Sequence, residues 1–340
     1  MKKQLFKLFA LFGFSVLLLT SCGAKQESSE QVIQKFKDNL TQINSADMGI
    51  TVDVNGTQAS DKIDASARLD VKFDRQEEED HKMEMGVSLS GNMKTEDQTF
   101  SGDLGFDLIS LNDDFYVKLL TFDTTDENLK ALEPLIALYK GNWLHLASEL
   151  IPENIRNIQK KDPETLLKEK ALKQLFVETR IVNITKEYGV ETVNGNKVYH
   201  FGFEFDKEGV SNYIRQAAVI DGREMTEAEV EENAQIVHYI NDAQMWVGMK
   251  DYYPYKTSFT ITPPEDAEVS MNIGLLFEAN SFNEAVPISA PADFTEFNPL
   301  ELLMGANSMG GGAEMPTDMP EFELDEMEVI DGLPADGQEE

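Results

Sequence analysis

The chain carries a single cysteine among 340 residues, Cys22, and its thiol is the most reactive nucleophile the sequence offers. A lone thiol forms no internal disulfide, and a catalytic or metal-binding role needs partner groups that the residues flanking Cys22 do not supply. The four histidines, His81, His145, His200 and His238, are scattered without metal-ligand spacing. His200 falls inside an alternating strand pattern, where a solvent-facing or hydrogen-bonded side chain is a simpler reading than a general base. Asp53-Val54-Asn55-Gly56 hints at a calcium loop, but its glycine stands fourth rather than sixth and no glutamate stands twelfth. Glu77, Glu78, Glu79 and Asp80 would hold a divalent cation weakly, and a solvated loop between strands accounts for them. No HExxH, GxSxG, phosphate-binding loop or Gly-rich dinucleotide turn occurs. The expectation is a protein that is not an enzyme, with no catalytic residues, no metal and no cofactor.

That leaves Cys22 for another use, and the residues before it say which. Lys2, Lys3 and Lys7 form a cationic start, and the apolar stretch Leu8–Leu19 is 12 residues long. A signal-peptide core runs about 7 to 15 residues and a spanning helix about 20, so the length predicts a cleaved export signal over residues 1–21. Leu19, Thr20, Ser21 and Cys22 resemble the bacterial lipobox, an aliphatic residue and two small ones before cysteine. The motif implies diacylglycerol carried on the thiol as a thioether and cleavage just before Cys22. An ordinary signal peptide with an unrelated cysteine is the alternative, but the chain's one cysteine stands at the required position. Two acyl chains anchor a protein stably where one does not. The expected location is the extracytoplasmic face of the cell membrane, or the outer membrane if the organism has one; Gly23 lacks the charge of the usual inner-membrane retention signal.

Charge narrows the partners. Lys plus Arg number 29 against 62 Asp plus Glu, a formal charge of -33, and loss of the signal removes three further lysines. Such a surface repels phosphate backbones and anionic headgroups, which argues against nucleic acid and makes a covalent lipid the only route to the membrane. Apolar residues make up 41% of the chain, enough for a real core.

The elements follow from periodicity. After a polar tether, 22–29, Ser28 and Gln31 have capping-box spacing, and Val32, Ile33, Phe36, Leu40 and Ile43 form a helical stripe. Period two then takes over in runs such as Ile63, Ala65, Ala67, Leu69, Val71 and Phe73, with Asn55-Gly56 as a hairpin turn. Five such strands up to Leu119 predict an antiparallel meander. Helices are expected around Leu129–Leu138, from Asp162-Pro163 to about Phe176, over 207–219, and from Thr226 along Val230, Ile236, Val237 and Ile240. Between and after them come a hairpin around Asn194-Gly195 and strands at Met245–Lys250, Tyr255–Thr262 and Val269–Phe277. The fold class is α+β on antiparallel sheet, one domain over residues 30–303. Residues 304–340 contain 11 Asp plus Glu and no Lys or Arg, without a sustained period, and predict a disordered acidic tail. Met319, Phe322, Leu324, Met327 and Ile330 would serve a docking role there; a solubilising end is the alternative. The sheet also carries more dry side chains than its helices need. Phe106, Phe115, Trp143, Phe203, Trp246 and Met271 are candidate lining residues of a cavity, although an ordinary sheet–helix core would use the same residues.

The helix Glu30–Ile43 before a long meander, the hairpin V-N-G-N-K-V-Y of Val193–Tyr199, and W-V-G-M-K-D-Y-Y-P-Y-K of Trp246–Lys256 resemble the lipoprotein carriers and receptors related to LolA and LolB and the mycobacterial LppX and LprG proteins. The resemblance covers roughly residues 28–300. It implies a strongly curved antiparallel sheet, a half barrel, whose concave face is closed by helices over a hydrophobic cavity. It also implies a lipid or acyl-chain ligand held without catalysis; an envelope sensor or scaffold that binds another protein is the second expectation. The direct check is at Cys22: Cys22→Ser is expected to abolish incorporation of labelled fatty acid and to move the protein from the membrane to the soluble fraction.

Overall fold

In the computed structural model the described residues are 27–58, 61–77, 80–95, 98–112, 114–146, 163–263 and 270–297. Leu19, Thr20, Ser21 and Cys22, and the acidic segment 304–340, lie outside them. Helix α1, Ser29–Leu40, opens as its sequence requires: the Ser28 hydroxyl accepts from the Gln31 amide (3.3 Å) and the Gln31 side chain accepts from the Ser28 amide (3.2 Å). The meander follows as β1 (Ser45–Gln58), β2 (Asp61–Glu77), β3 (Asp80–Lys94), β4 (Thr99–Leu111) and β5 (Asp114–Thr124). Two short helices, α2 (Glu127–Lys130) and α3 (Glu133–Tyr139), lead to β6 (Trp143–Leu146). Then come α4 (Pro163–Glu178), the hairpin β7 (Val182–Val193) and β8 (Asn196–Phe205), α5 (Lys207–Asp221), α6 (Glu227–Gln235), β9 (Ile240–Gly248), β10 (Pro254–Ile261), β11 (Ser270–Phe282) and the two-residue β12 (Thr295–Glu296).

All the strands belong to one sheet of 12, in the order β12-β6-β5-β4-β3-β2-β1-β11-β10-β9-β8-β7. The chain therefore builds two meanders, β1 to β6 and β7 to β11, joined where β1 pairs antiparallel with β11. β12 alone pairs parallel, with β6. The sheet is open and curved, the expected α+β half-barrel architecture. The described residues lie in one compact unit that ends at Phe297.

Helices α1, α4, α5 and α6 pack together near the β7 end of the sheet, while α2 and α3 lie against β5. Val32 and Ile33 of α1 pack on Tyr199, Phe201 and Phe203 of β8 and on Ala243, Met245 and Val247 of β9, all buried. On the opposite face, residues 283–297 run from β11 to the far edge. Their Val286 and Ile288 are buried against Ile109 and Tyr116, and the His145 ring bonds to Glu296 at 2.8 Å.

Several local expectations are corrected. Asn55-Gly56 does not turn: both residues sit inside β1, paired with Asp64 and Ile63, and only at Gln58–Asp61 does the ladder close. Neither residue has positive φ there, whereas Asn194 (φ 48) and Gly195 (φ 81) do, as a tight hairpin turn demands. The stripe after Thr226 breaks at Gln235; a 3-10 turn covers Ile236–Tyr239 and Ile240 already belongs to β9, because sheet pairing with β10 outcompetes a weak helical end. The Leu129–Leu138 helix is two short pieces, and Trp143 starts a strand.

Met245 is 4% exposed in the cluster that holds α1 to the sheet. Met245→Ala is expected to lower unfolding stability by about 2–5 kcal/mol, read as a lower urea midpoint with unchanged m-value.

Candidate functional site

Paired residues in an antiparallel ladder share a face, so the register maps the apolar surface directly. One row runs Leu275, Val52, Ala67, Leu89, Leu104, Phe122 across six strands. The next runs Phe277, Ile50, Leu69, Val87, Phe106, Leu119, and a third Met48, Val71, Met85, Leu108, Val117, Leu144. Every residue in these rows is apolar and none is buried, although Ala279, which opposes Met48 on β11 and extends the third row, is 0% exposed; Leu89 is 41% exposed. Thr257, paired with both Met245 and Phe277, shows that this is the face α1 covers farther along. The residues one step off the rows include Asp53, Arg68, Asp70, Lys72 and Glu84, so the other face of the same strands is wet.

A sheet face this dry is normally covered. Here the cluster under α1 stops near β10 among the described residues, while the rows on β1 to β5 and β11 are only partly buried apart from Ala279, opposite Met48, and Phe115, which are buried on the same face. Beside them α2 and α3, next to β5, expose Leu129, Leu132 and Leu138. The result is a partly buried apolar surface several strands wide.

The six candidate lining residues divide between two faces. Phe106, Phe115, Phe203 and Met271 have the parity of the apolar face: Phe106 is in its middle row, Met271 opposes Gly56, Phe115 is buried beside Leu146, and Phe203 is in the core under α1. Trp143 and Trp246 point to the other face. Trp143 packs beneath the 283–297 segment, and Trp246 belongs to a polar and aromatic column. Alternation within one strand cannot reveal this, because Met245-Trp246-Val247 is apolar at every position and leaves the inward set undefined.

In that column the His200 ring is sandwiched between Tyr188 and Trp246, both with centroids 4.2 Å away. Its nitrogens meet Glu191 at 2.8 Å and Gln244 at 2.9 Å, while the Trp246 indole donates to Glu191 at 3.0 Å. Lys186 and Lys256 close the two ends over Tyr188 and Trp246. Every polar group has a partner, so the column is structural. Bonds from Trp246 and His200 hold the Glu191 carboxyl below the usual carboxylate range.

Beside α1 the sequence stripe missed one residue. Lys37 lies four positions after Ile33 and is buried, 6% exposed, with Nζ donating to the Thr179 carbonyl at 2.9 Å. Desolvation depresses its proton affinity, partly opposed by Asp38. A charged residue at stripe spacing was the available signal.

No metal-holding cluster of His, Cys, Asp or Glu occurs among the described residues, and no helix among them is long and apolar enough to cross a membrane. No protein-family profile matches the chain, and no curated protein matches it. Among solved structures, the lipoprotein LppX of Mycobacterium tuberculosis is 12% identical, covering 77% of this chain and 100% of LppX at a TM-score of 0.29. A DUF1329 family protein from Desulfovibrio piger is 10% identical, covering 78% and 96%, at 0.19. Backbones that agree this loosely carry no argument, so the functional reading rests on the chain's own surface.

The column makes a pH prediction. Because Glu191 is held low, its contribution is fully present above the ordinary carboxylate range and is lost as pH falls through the depressed value. In a Trp143→Phe background, Trp246 fluorescence is expected to shift as acid protonates Glu191; Glu191→Gln is expected to remove that acid step and start from the shifted state.

Proposed function

We propose that this chain is an extracytoplasmic lipoprotein, anchored through Cys22, that holds an acyl chain or another hydrophobic ligand without covalent chemistry. The observation that carries the ligand half is the three-row apolar face of β1 to β5 and β11, only partly buried among the described residues. The anchor half rests on the sequence Leu19-Thr20-Ser21-Cys22 behind a cationic and apolar leader. The leader 1–21, the tether 22–29, the binding domain 30–303 and the acidic tail 304–340 are the corresponding divisions of the chain.

The physics favours a flexible apolar guest. A methylene moved fully from water gains about 0.8 kcal/mol, so ten methylenes half-buried on this surface gain about 4 kcal/mol before ordering costs. Met48 and Met85 in the third row suit a surface that adapts to chains of different shape. A protein partner of the envelope would use the same apolar rows, and competition separates the two readings.

Mature protein prepared without its anchor is expected to retain copurifying lipid in native mass spectra and to bind a fluorescent acyl probe. Leu69→Glu, in the middle row, is expected to weaken the probe by about tenfold or more, which is 1.4 kcal/mol per decade. Consistent absence of lipid and probe binding, with an envelope protein captured through the same face, would overturn the carrier reading in favour of a scaffold.

A further inference from the structure

At the opposite end of the sheet from the apolar rows, between α1 and the edge strand β7, lies a cleft of about 310 Å³. Ile33, Val182 and Ile184 give it an apolar wall, and Lys37 and Arg180 line it as well. The lysine is the informative residue. An ammonium has three donors, and burying one without acceptors costs several kcal/mol. Lys37 makes one hydrogen bond among the described residues, to the Thr179 carbonyl just past the C-terminal end of α4. That bond pins α4 to α1 and benefits from the helix dipole, but it uses one donor of three. Arg180 has no carboxylate within ion-pair distance among the described residues, and its charge acts on Asp206 only from farther away, so its donors stay available to the cleft.

The remaining lining limits what the two cations can hold. Glu30 and Glu178 face the same cleft, so its local charge is balanced, and the chain's overall charge of -33 opposes any anion, a dianion about twice as strongly as a monoanion, whose apolar stem supplies the compensating burial. A single negative charge at the end of an apolar stem meets both conditions, with the head on Lys37 and Arg180 and the stem on Ile33, Val182 and Ile184. Placement agrees. The cleft begins at Ser29, about seven residues from Cys22, and so many extended residues reach at most about 25 Å.

We propose that the cleft between α1 and β7 binds the monoanionic head and first methylenes of an acyl amphiphile, with Lys37 and Arg180 donating to the head. This site is separate from the apolar sheet face and does not rest on the carrier reading; only its placement near the membrane rests on the anchor proposed at Cys22.

The test uses the full mature chain with Cys22→Ser and laurate labelled with carbon-13 at its carboxyl, followed by NMR titration. A distinct bound carboxylate resonance is expected. Arg180→Gln, an exposed change that leaves the core intact, is expected to weaken it severalfold, and Lys37→Met by at least tenfold, with Lys37→Arg restoring part of the loss. Neutral dodecanol is expected to compete at least tenfold more weakly, and inorganic phosphate not at all. Leu69→Glu, on the sheet face, is expected to leave this resonance in place, so loss of the sheet site and loss of the cleft are read separately. Binding of lysophosphatidylglycerol instead of laurate, with the same dependence on Lys37 and Arg180, supports the site and assigns the head to a phospholipid. Equal binding of dodecanol, no bound carboxylate resonance at all, or a resonance that survives both Arg180→Gln and Lys37→Met unchanged, overturns the proposal.

Discussion

The antiparallel ladder between β1 and β11 is the contact on which the rest of the molecule depends. It joins the first strand of one meander to the last strand of the other, from Ala46 opposite Phe282 to Thr57 opposite Ser270. Without it the chain would be two sheets, each with a long apolar edge strand exposed to pairing with other molecules. The partners lie more than two hundred residues apart in sequence, so closing this loop carries a large entropic cost and belongs late in folding. Asn283 reinforces the junction by accepting from the Asn44 amide at 2.7 Å and donating to the Gln42 carbonyl at 3.1 Å, which ties the end of α1 to the end of β11.

Once the two meanders share one sheet, cover becomes the limiting resource. Sheets of this width twist and curl, and the inside of the curl needs apolar partners. α1 supplies them for β8 and β9, where Val32 and Val247 are fully buried. On the other side of the junction the rows from Leu275 to Phe122 and from Phe277 to Leu119 have equally apolar side chains without equal burial. This asymmetry among the described residues, one half closed as a core and the other only partly buried, is what makes a ligand reading physical. The other face is treated differently: residues 283–297 cover its far edge, and the Tyr188–His200–Trp246 column satisfies its polar groups near β7.

Much of this was legible in the sequence, and the reason is local. Period-two alternation from Ile63 to Phe73 survives in β2 because every second residue faces the same surface, and the capping boxes at Ser28 and Thr226 form from residues three apart. The cationic and apolar run before Cys22, and the acidic composition of residues 304–340, are likewise properties of the chain that need no fold to be read. Asn55-Gly56 failed as a turn because its neighbours pair strongly on both sides, an outcome set by β2 and β11 rather than by the dipeptide.

The tertiary structure alone decided the rest. Which of two apolar faces a residue joins depends on register with a neighbouring strand, so Trp143 and Trp246 could not be separated from Phe106 and Met271 by alternation. Whether an apolar row is core or surface depends on where helices come to rest, which Leu69 and Phe201 do not reveal by type. Lys37 looked like one more charged helix residue until α4 placed the Thr179 carbonyl against it. The sequence by itself determined the alternation, the caps, the charge and the single thiol, because each is written in neighbouring residues. Faces, cover and the buried cation came only from folding, because each requires two segments far apart in the chain to meet.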